Sequence, residues 1–172
     1  MKSVSDFKEQ AKSDHIQAPS GFLKVGGFDT SKSFFRINDA VMGGKSSSQL
    51  SLAEEGFKFE GIINTNGGGF ASFRSLGDEE KLGVPADAQY VVIDATGDGL
   101  LYKSSLHTAD SWSMFTPTFS HDFKTRTGQR EFHRLPLSNF VGSRQGQPVK
   151  NTILDPTTLT GVGFGLSLYT MD

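Results

Sequence analysis

Polar and apolar residues alternate along much of the chain with the two-residue period of short β-strands. In residues 57–63, FKFEGII, Phe57 and Phe59 alternate with Lys58 and Glu60. Because successive side chains of a strand point to opposite faces, this pattern predicts a strand with one buried face. The only places where the pattern allows a helix are the N-terminus and a turn at 137–140.

Six further segments are rich in strand-forming residues and lie between turn-forming residues. They are 69–75, 89–97, 100–108, 113–120, 130–137 and 162–170. Pro117 fits such a strand only at a sheet edge or a bulge, since proline has no N–H to donate. Gly97-Asp98-Gly99 stands between two of the segments, and Asp-Gly in that position is a strong β-hairpin signal. We therefore expect 89–97 and 100–108 to pair with each other.

The composition agrees with a β-rich fold, because the 172 residues include 20 glycines and 15 phenylalanines. Glycine inside a helix costs about 1 kcal/mol, whereas it suits tight turns. At least seven short strands with turn-rich connections predict an all-β antiparallel sandwich or barrel. The length fits a single domain over 21–172, after a polar arm or isolated helix over 1–20. The sequence ends in mid-pattern, which leaves open a further strand past Asp172.

Charge and composition exclude several classes of partner and site. The formal net charge is −2, from 17 basic and 19 acidic residues that are mixed along the chain. No cationic face is available to release counterions from nucleic acid, so nucleic acid is not an expected partner. The absence of cysteine excludes disulfides, thiolate nucleophiles and cysteine-based metal sites. No apolar run approaches the roughly 20 residues that span a bilayer, so we expect membrane association to be peripheral at most.

Two glycine-rich motifs invite comparison with nucleotide-binding loops. In NTNGGGF, Asn64 to Phe70, the backbone around Gly68 and Gly69 could line a phosphate. No Lys-Ser/Thr pair follows and no helix begins there, so a hairpin or bulge that needs positive φ is the preferred interpretation. GVGFG at 161–165 has the wrong spacing for a dinucleotide fingerprint. It alternates as a strand whose glycine face lets a neighbour pack closely.

Catalytic and metal-binding interpretations find little support. The four histidines, at positions 15, 107, 121 and 133, have no short ligand spacing, and we expect no metal or cofactor. An acid pair for glycoside hydrolysis could come from Asp94, Asp98, Asp110 and Asp122, but nothing in the sequence places two of them at the required separation. The serines at 46–48 lack the Gly-x-Ser-x-Gly elbow of a serine hydrolase. We do not expect an enzyme.

Aromatic side chains leave a ligand-binding alternative open. Trp112, Tyr102, Phe115 and Phe119 could form a stacking platform for a sugar, although core packing also explains the phenylalanines. Tyr102, Trp112 and Phe115, together with Asp98, are therefore candidate contacts for a ligand or partner.

Arg74 alternates with Phe70 and Ser72, and we expect its side chain to point inward. A buried guanidinium needs a carboxylate partner. Asp39 is the candidate for that partner.

Five motifs, in order from about Phe28 to the C-terminus, carry a family resemblance. They are FFRINDAVMGGKSSSQL, FKFEGIINTNGGGFASFRS, GDGLLYKSSLHT, HRLPLSNF and LDPTTLTGVGFGLS. With these motifs the chain resembles the complex I intermediate-associated protein 30 kDa family, although Phe34 and Phe35 stand where the family usually has tryptophan. The family's signature positions fall on Asn38, Asp39, Met42, Gly43, Gly44, Ser46, Gly68, Gly69, Phe70, Arg74, Gly99 and Tyr102.

The resemblance implies a galactose-binding-domain-like jelly-roll sandwich with a non-enzymatic role. It implies an assembly factor or accessory subunit whose partners are protein subunits of a membrane-bound electron-transfer complex, such as respiratory complex I or a photosynthetic complex. It also implies a location on the mitochondrial matrix or chloroplast stroma side of a membrane, or in the bacterial cytoplasm, and not secretion. The signature would lock the first strand to the sheet. A carbohydrate- or small-ligand-binding module, with its site in loops at one end of the sandwich, is the alternative.

Overall fold

The computed structural model describes residues 34–53, 56–66, 69–75, 81–108, 116–144 and 147–167. Several expectations fall outside these ranges and stay predictions. They concern the arm over 1–20, the start of the domain at 21, any strand past Asp172, and the positions of Gly68, Asp110, Trp112 and Phe115. The side chain of Met42 also lies outside the description.

The described ranges are built from short strands, as the alternation predicts. The strands are β1 Phe34–Asn38, β2 Ser47–Ala53, β3 Gly56–Ile62, β4 Phe70–Ser75, β5 Tyr90–Thr96, β6 Leu101–Thr108, β7 Thr118–Lys124, β8 Arg130–Pro136, β9 Val141–Arg144, β10 Gln147–Pro148 and β11 Leu159–Ser167. Short 3₁₀ helices occur at Asp39–Met42, Leu137–Asn139 and Pro156–Thr158. The strand expected over 113–120 is described from Thr118 onward, directly after Pro117, which therefore needs no place in the hydrogen-bond ladder.

Seven strands form one antiparallel sheet in the order β1-β4-β11-β6-β7-β9-β10, and two antiparallel ribbons accompany it, β2–β3 and β5–β8. The main core lies between the large sheet and the β5–β8 ribbon, since Ile93 and Leu135 of the ribbon join Leu106, Phe119 and Phe123 of the sheet in one buried cluster. Two β-layers around one core make a sandwich, so the predicted fold class is confirmed.

Phenylalanine rings continue this core toward the β2–β3 ribbon. Phe34 and Phe57 have ring centroids 4.8 Å apart, Phe59 and Phe73 5.0 Å, and Phe73 and Phe164 5.5 Å. Such tilted contacts add to the area that each ring buries. The high phenylalanine content is therefore explained in large part by packing between the layers.

The hairpin predicted at 97–99 is wrong. β5 pairs with β8, whereas β6 pairs with β7 and β11, so this segment crosses from one layer to the other. The tight backbone is nevertheless required: Gly99 has φ +93°, and a methyl group at Gly97 would lie 2.6 Å from Cγ2 of Thr125. Gly128 donates its N–H to the carbonyl of Gly97 at 2.8 Å. The glycines of this segment allow the chain to bend, but contacts with residues 125–128 make the bend a corner, where the chain passes from one layer of the sandwich to the other.

Candidate functional site

Asp39 holds together the turn that follows β1. Its carboxylate is fully buried and accepts hydrogen bonds from the N–H of Ser46 at 2.9 Å, from Oγ of Ser46 at 2.5 Å and from the N–H of Gly69 at 2.6 Å. Ser46 leads into β2 and Gly69 leads into β4. One side chain therefore ties the end of β1 to the starts of two other strands.

The adjacent glycines of the signature serve two different needs. Gly43 has φ +85° and ends the 3₁₀ helix by donating its N–H to the carbonyl of Ala40 at 3.1 Å. Gly44 sits against the buried carboxylate: a methyl group there would lie 2.5 and 2.7 Å from the two oxygens of Asp39. The first glycine supplies a backbone conformation and the second supplies space.

Two opposing effects set the ionisation of Asp39. Burial acts to raise its pKa, but the hydrogen bonds from Ser46 and from the backbone N–H groups of Gly69 and Phe70 outweigh burial and lower the pKa below its ordinary value. The carboxylate is therefore charged at neutral pH, with its oxygens occupied by donors from the protein. This arrangement suits a structural role.

Ser46→Ala should test this network. The Ser46 hydroxyl donates to Asp39 and accepts the N–H of Asn64 at 2.9 Å. We expect its removal to lower the free energy of unfolding by about 1–3 kcal/mol, the usual effect of leaving a buried polar group unsatisfied. Ser47→Ala, at the exposed neighbouring position, is the matched control and should change it by about 0.5 kcal/mol at most. Similar losses for both variants in urea denaturation would contradict this account.

The predicted partner of Asp39 was Arg74, but the hydrogen bonds that the structure shows at this carboxylate come from Ser46, Gly69 and Phe70. Arg74 is buried in β4, where it pairs in register with Phe35 of β1 and Gly163 of β11. Burial lowers the pKa of Arg74 to about 10.

A polar group that includes Ser105 and His107 lies beside the glycine face of β11. Oγ of Ser105 is 3.0 Å from Nε2 of His107. A methyl group at Gly163 would lie 2.6 Å from that Oγ and 3.3 Å from Nε2. Close packing at Gly163 is thus made by side chains of β6, and the glycine leaves room for them.

The electrostatics of His107 follow from this location. Burial and the charge of Arg74 lower the pKa of His107 to about 3, so the ring is neutral at pH 7. The Ser105–His107 contact has the spacing of a nucleophile and a base. Among the described residues, however, no partner hydrogen-bonds to Nδ1 of His107, so the orienting third group of a hydrolase triad is not found there.

Asp98 and Tyr102, two candidate contact residues, do meet. The hydroxyl of Tyr102 donates to Oδ2 of Asp98 at 3.0 Å, and the ring stacks on Phe123 with centroids 5.9 Å apart. Burial, the hydrogen bond to Asp98 and its negative charge raise the pKa of Tyr102 to about 12. The other two candidates, Trp112 and Phe115, lie outside the described residues.

Two of the remaining acidic candidates, Asp94 and Asp122, are in ion pairs. Asp94 accepts from Nε and Nη2 of Arg130 at 2.9 and 2.7 Å, and Asp122 accepts from Lys103 at 2.6 Å. Within the ranges that the structure describes, no group of three or more histidine and acidic side chains could hold a metal ion. Over the same ranges, no helix has the length and apolarity needed to cross a bilayer.

Comparison with known proteins identifies the family of this chain. The sequence profile of Complex I intermediate-associated protein 30 (CIA30) matches residues 23–171. The chain belongs to the CIA30 family. The solved structure of a family 11 carbohydrate-binding module from Clostridium thermocellum, in complex with a β-1,3-1,4-mixed-linked tetrasaccharide, is similar with a TM-score of 0.52 and 12% sequence identity, over 84% of this chain and 88% of that one. At that identity the similarity supports the galactose-binding-like sandwich fold alone. Among curated proteins, none matches this sequence.

In this CIA30 chain the best-described signature residues serve the fold, and a different surface exposes aromatic, aliphatic and basic side chains that the sequence reasoning missed. On the outward side of the β5–β8 ribbon, the exposed fractions are 72% for Phe132, 41% for Tyr90 and 38% for Val92. The guanidinium carbon of Arg134 lies 3.8 Å from the centroid of the Tyr90 ring. The signal was present in the sequence: once Ile93 and Leu135 are assigned inward, period two puts these residues outward.

Proposed function

We propose that this CIA30 protein is a non-enzymatic protein-binding module that serves as an assembly factor or accessory subunit of a large membrane-bound electron-transfer complex. The observation that carries the proposal is the family match over residues 23–171. The chemistry of the signature supports it, because the oxygens of Asp39 and the hydroxyl of Ser46 hydrogen-bond within the protein. Respiratory complex I is the first candidate complex, and a photosynthetic complex is the second.

The proposed location follows from the proposed partner. An assembly factor for such a complex would work at the matrix side of the mitochondrial inner membrane, at the stroma side of a chloroplast membrane, or at the cytoplasmic side of a bacterial membrane. Contact with the bilayer would be peripheral, through the partner subunits. Each location can be tested by the identity of the subunits that the protein binds.

Crosslinking in native membranes tests the proposal. The full-length chain, tagged at its C-terminus, is crosslinked in membranes of its source organism, purified and analysed by mass spectrometry. We expect enrichment of subunits or assembly intermediates of one electron-transfer complex over a tag-only control. Failure to enrich subunits of any such complex would refute the proposed role.

A carbohydrate- or small-ligand-binding module is the second candidate function. The bound tetrasaccharide of the similar module favours it, as does the Asp98–Tyr102 pair, which combines a carboxylate with an aromatic ring. A glycan array with the purified protein separates the two functions. A reproducible glycan hit that Asp98→Ala weakens, without enrichment of any complex, would replace the assembly role by a carbohydrate-binding one.

A further inference from the structure

The outward side of the β5–β8 ribbon forms a continuous surface, which we call the ribbon face. Pairing in register sets Tyr90 opposite Pro136, Val92 opposite Arg134 and Asp94 opposite Phe132. Side chains opposite one another in an antiparallel pair lie roughly 4.5–5.5 Å apart at Cβ, and diagonal neighbours remain within reach of long side chains. Tyr90, Val92, Phe132 and Arg134 therefore form one group, with the Asp94–Arg130 ion pair beside it.

Exposed apolar residues are common on proteins when they occur singly. Ile153 is such a case, since it is 92% exposed in an irregular segment before the last 3₁₀ helix. The ribbon face differs because three exposed apolar side chains share one side of two paired strands. The inward side of the same strands packs Ile93 and Leu135 in the core, so the outward residues are held on a rigid support.

The side chains of the ribbon face are those that dominate protein–protein recognition. Tyrosine and arginine are enriched among the few residues whose truncation weakens binding most, and aromatic residues generally are enriched at interfaces. Arg134 lies over the Tyr90 ring at 3.8 Å, which orders the guanidinium before any partner arrives. Preordering of this kind lowers the entropy lost on binding.

Charge narrows the chemistry of the partner. On the ribbon face the carboxylate of Asp94 accepts two hydrogen bonds from Arg130, at 2.9 and 2.7 Å. Among the described residues, Arg134 forms no ion pair. The face thus offers an uncompensated, ordered cation next to apolar surface. Its complement is an apolar surface that carries a carboxylate.

We propose that the ribbon face is the surface through which this protein docks onto a protein subunit of the complex that it helps to assemble, and that this subunit presents an apolar patch with a carboxylate that pairs with Arg134. The inference rests on the proposed assembly function and adds the surface and the chemistry of the partner to it. Phe132 is the central apolar contact, and Tyr90 holds Arg134 in place.

Variants of the full-length chain test this docking surface in the same crosslinking experiment. Phe132→Ser removes the apolar contact and Arg134→Glu reverses the charge. Ile153→Ser is the matched control, because it removes an exposed apolar residue elsewhere. Thermal unfolding of each purified variant confirms that it folds. We expect Phe132→Ser and Arg134→Glu each to reduce the recovery of subunits by about tenfold or more, equivalent to a loss of about 1.4 kcal/mol of binding, while Ile153→Ser recovers wild-type amounts.

The possible outcomes separate this inference from the function on which it rests. If the wild type and both variants recover the same subunits equally, the ribbon face is not the docking surface, although the assembly function stands. If only Phe132→Ser loses recovery, the surface holds but the carboxylate partner is refuted. If the wild type recovers no subunits, both proposals fail. Concentration-dependent dimerisation that Phe132→Ser abolishes would show instead that the face binds a second copy of the chain.

Discussion

Replacing Gly44 by alanine is expected to lower the free energy of unfolding by about 3 kcal/mol or more, the upper end of the effect of overpacking. The added methyl group would lie 2.5 and 2.7 Å from the two oxygens of Asp39. The carboxylate has no room to retreat, because the N–H and hydroxyl of Ser46 and the N–H of Gly69 fix it in place. Moving it would leave those buried donors unsatisfied and separate the starts of β2 and β4 from the end of β1.

Gly43→Ala is the matched control, one residue away. Beyond the adjoining residues, no atom lies within 4 Å of a methyl group added there, so the loss comes only from the backbone, whose φ is +85°. An L-residue in that region costs about 1–2 kcal/mol, and Gly43→Asn should cost less because asparagine tolerates the left-handed conformation. Urea denaturation followed by circular dichroism measures all three variants. If Gly43→Ala were the more damaging of the two alanine variants, the packing of Gly44 against Asp39 would not be what the signature requires.

The adjacent glycines show how far sequence reasoning reaches. Their presence in a motif with Asn38 and Asp39 indicated a turn that locks the first strand, and the structure has one there. The different roles of the two glycines depend on the position of the Asp39 carboxylate, which is set by Ser46 and by Gly69, 30 residues away. The pattern of residue types around the two glycines does not show that Gly69, 30 residues away, contacts Asp39.

Strands were predicted where the buried positions carry apolar residues, and they were missed where the buried positions carry polar residues. β3 alternates visibly and β5 is rich in β-branched residues, and both were found within one residue at each end. β2 was not identified, because its first buried position is Ser48, whose hydroxyl donates to the side chain of Asn38 at 2.7 Å. A serine that is buried by hydrogen bonding looks like a loop residue in the sequence. Strand pairing was harder still, as the corner at 97–99 shows.

The donors that surround the buried Asp39 carboxylate were the least accessible to prediction. Charge complementarity assigned Asp39 to Arg74, since a guanidinium is the obvious partner for a buried carboxylate. The fold supplies backbone N–H groups and a serine hydroxyl, which together hold the pKa of Asp39 low despite its burial. Neutral donors of this kind are present in every segment of a sequence, so no pattern marks the ones that converge.

The stability of the protein should fall between pH 6.5 and pH 4, and His107→Gln should remove most of that fall. The pKa of His107 drops from 6.5 to about 3 on folding, because the ring is buried and faces the charge of Arg74. Between those values the unfolded chain binds a proton at this site that the folded chain does not. Stability is therefore fully present above pH 6.5 and is lost as the pH falls, with a slope that approaches about 1.4 kcal/mol per pH unit.

The measurement is the free energy of unfolding from urea denaturation at several pH values from 7.5 to 4.5, for wild type and His107→Gln. The lowered pKa of Asp39 acts in the same direction, but its contribution is lost only as the pH falls from 3.8 downward, so this range isolates His107. Glutamine can still hydrogen-bond to Ser105, which keeps the variant comparable at pH 7.5. A wild-type slope that persists unchanged in His107→Gln would mean that His107 is protonated in the folded protein. Proton NMR of the His107 ring at pH 5 decides the same point independently, since a buried ring that faces the Arg74 guanidinium is expected to be neutral at that pH.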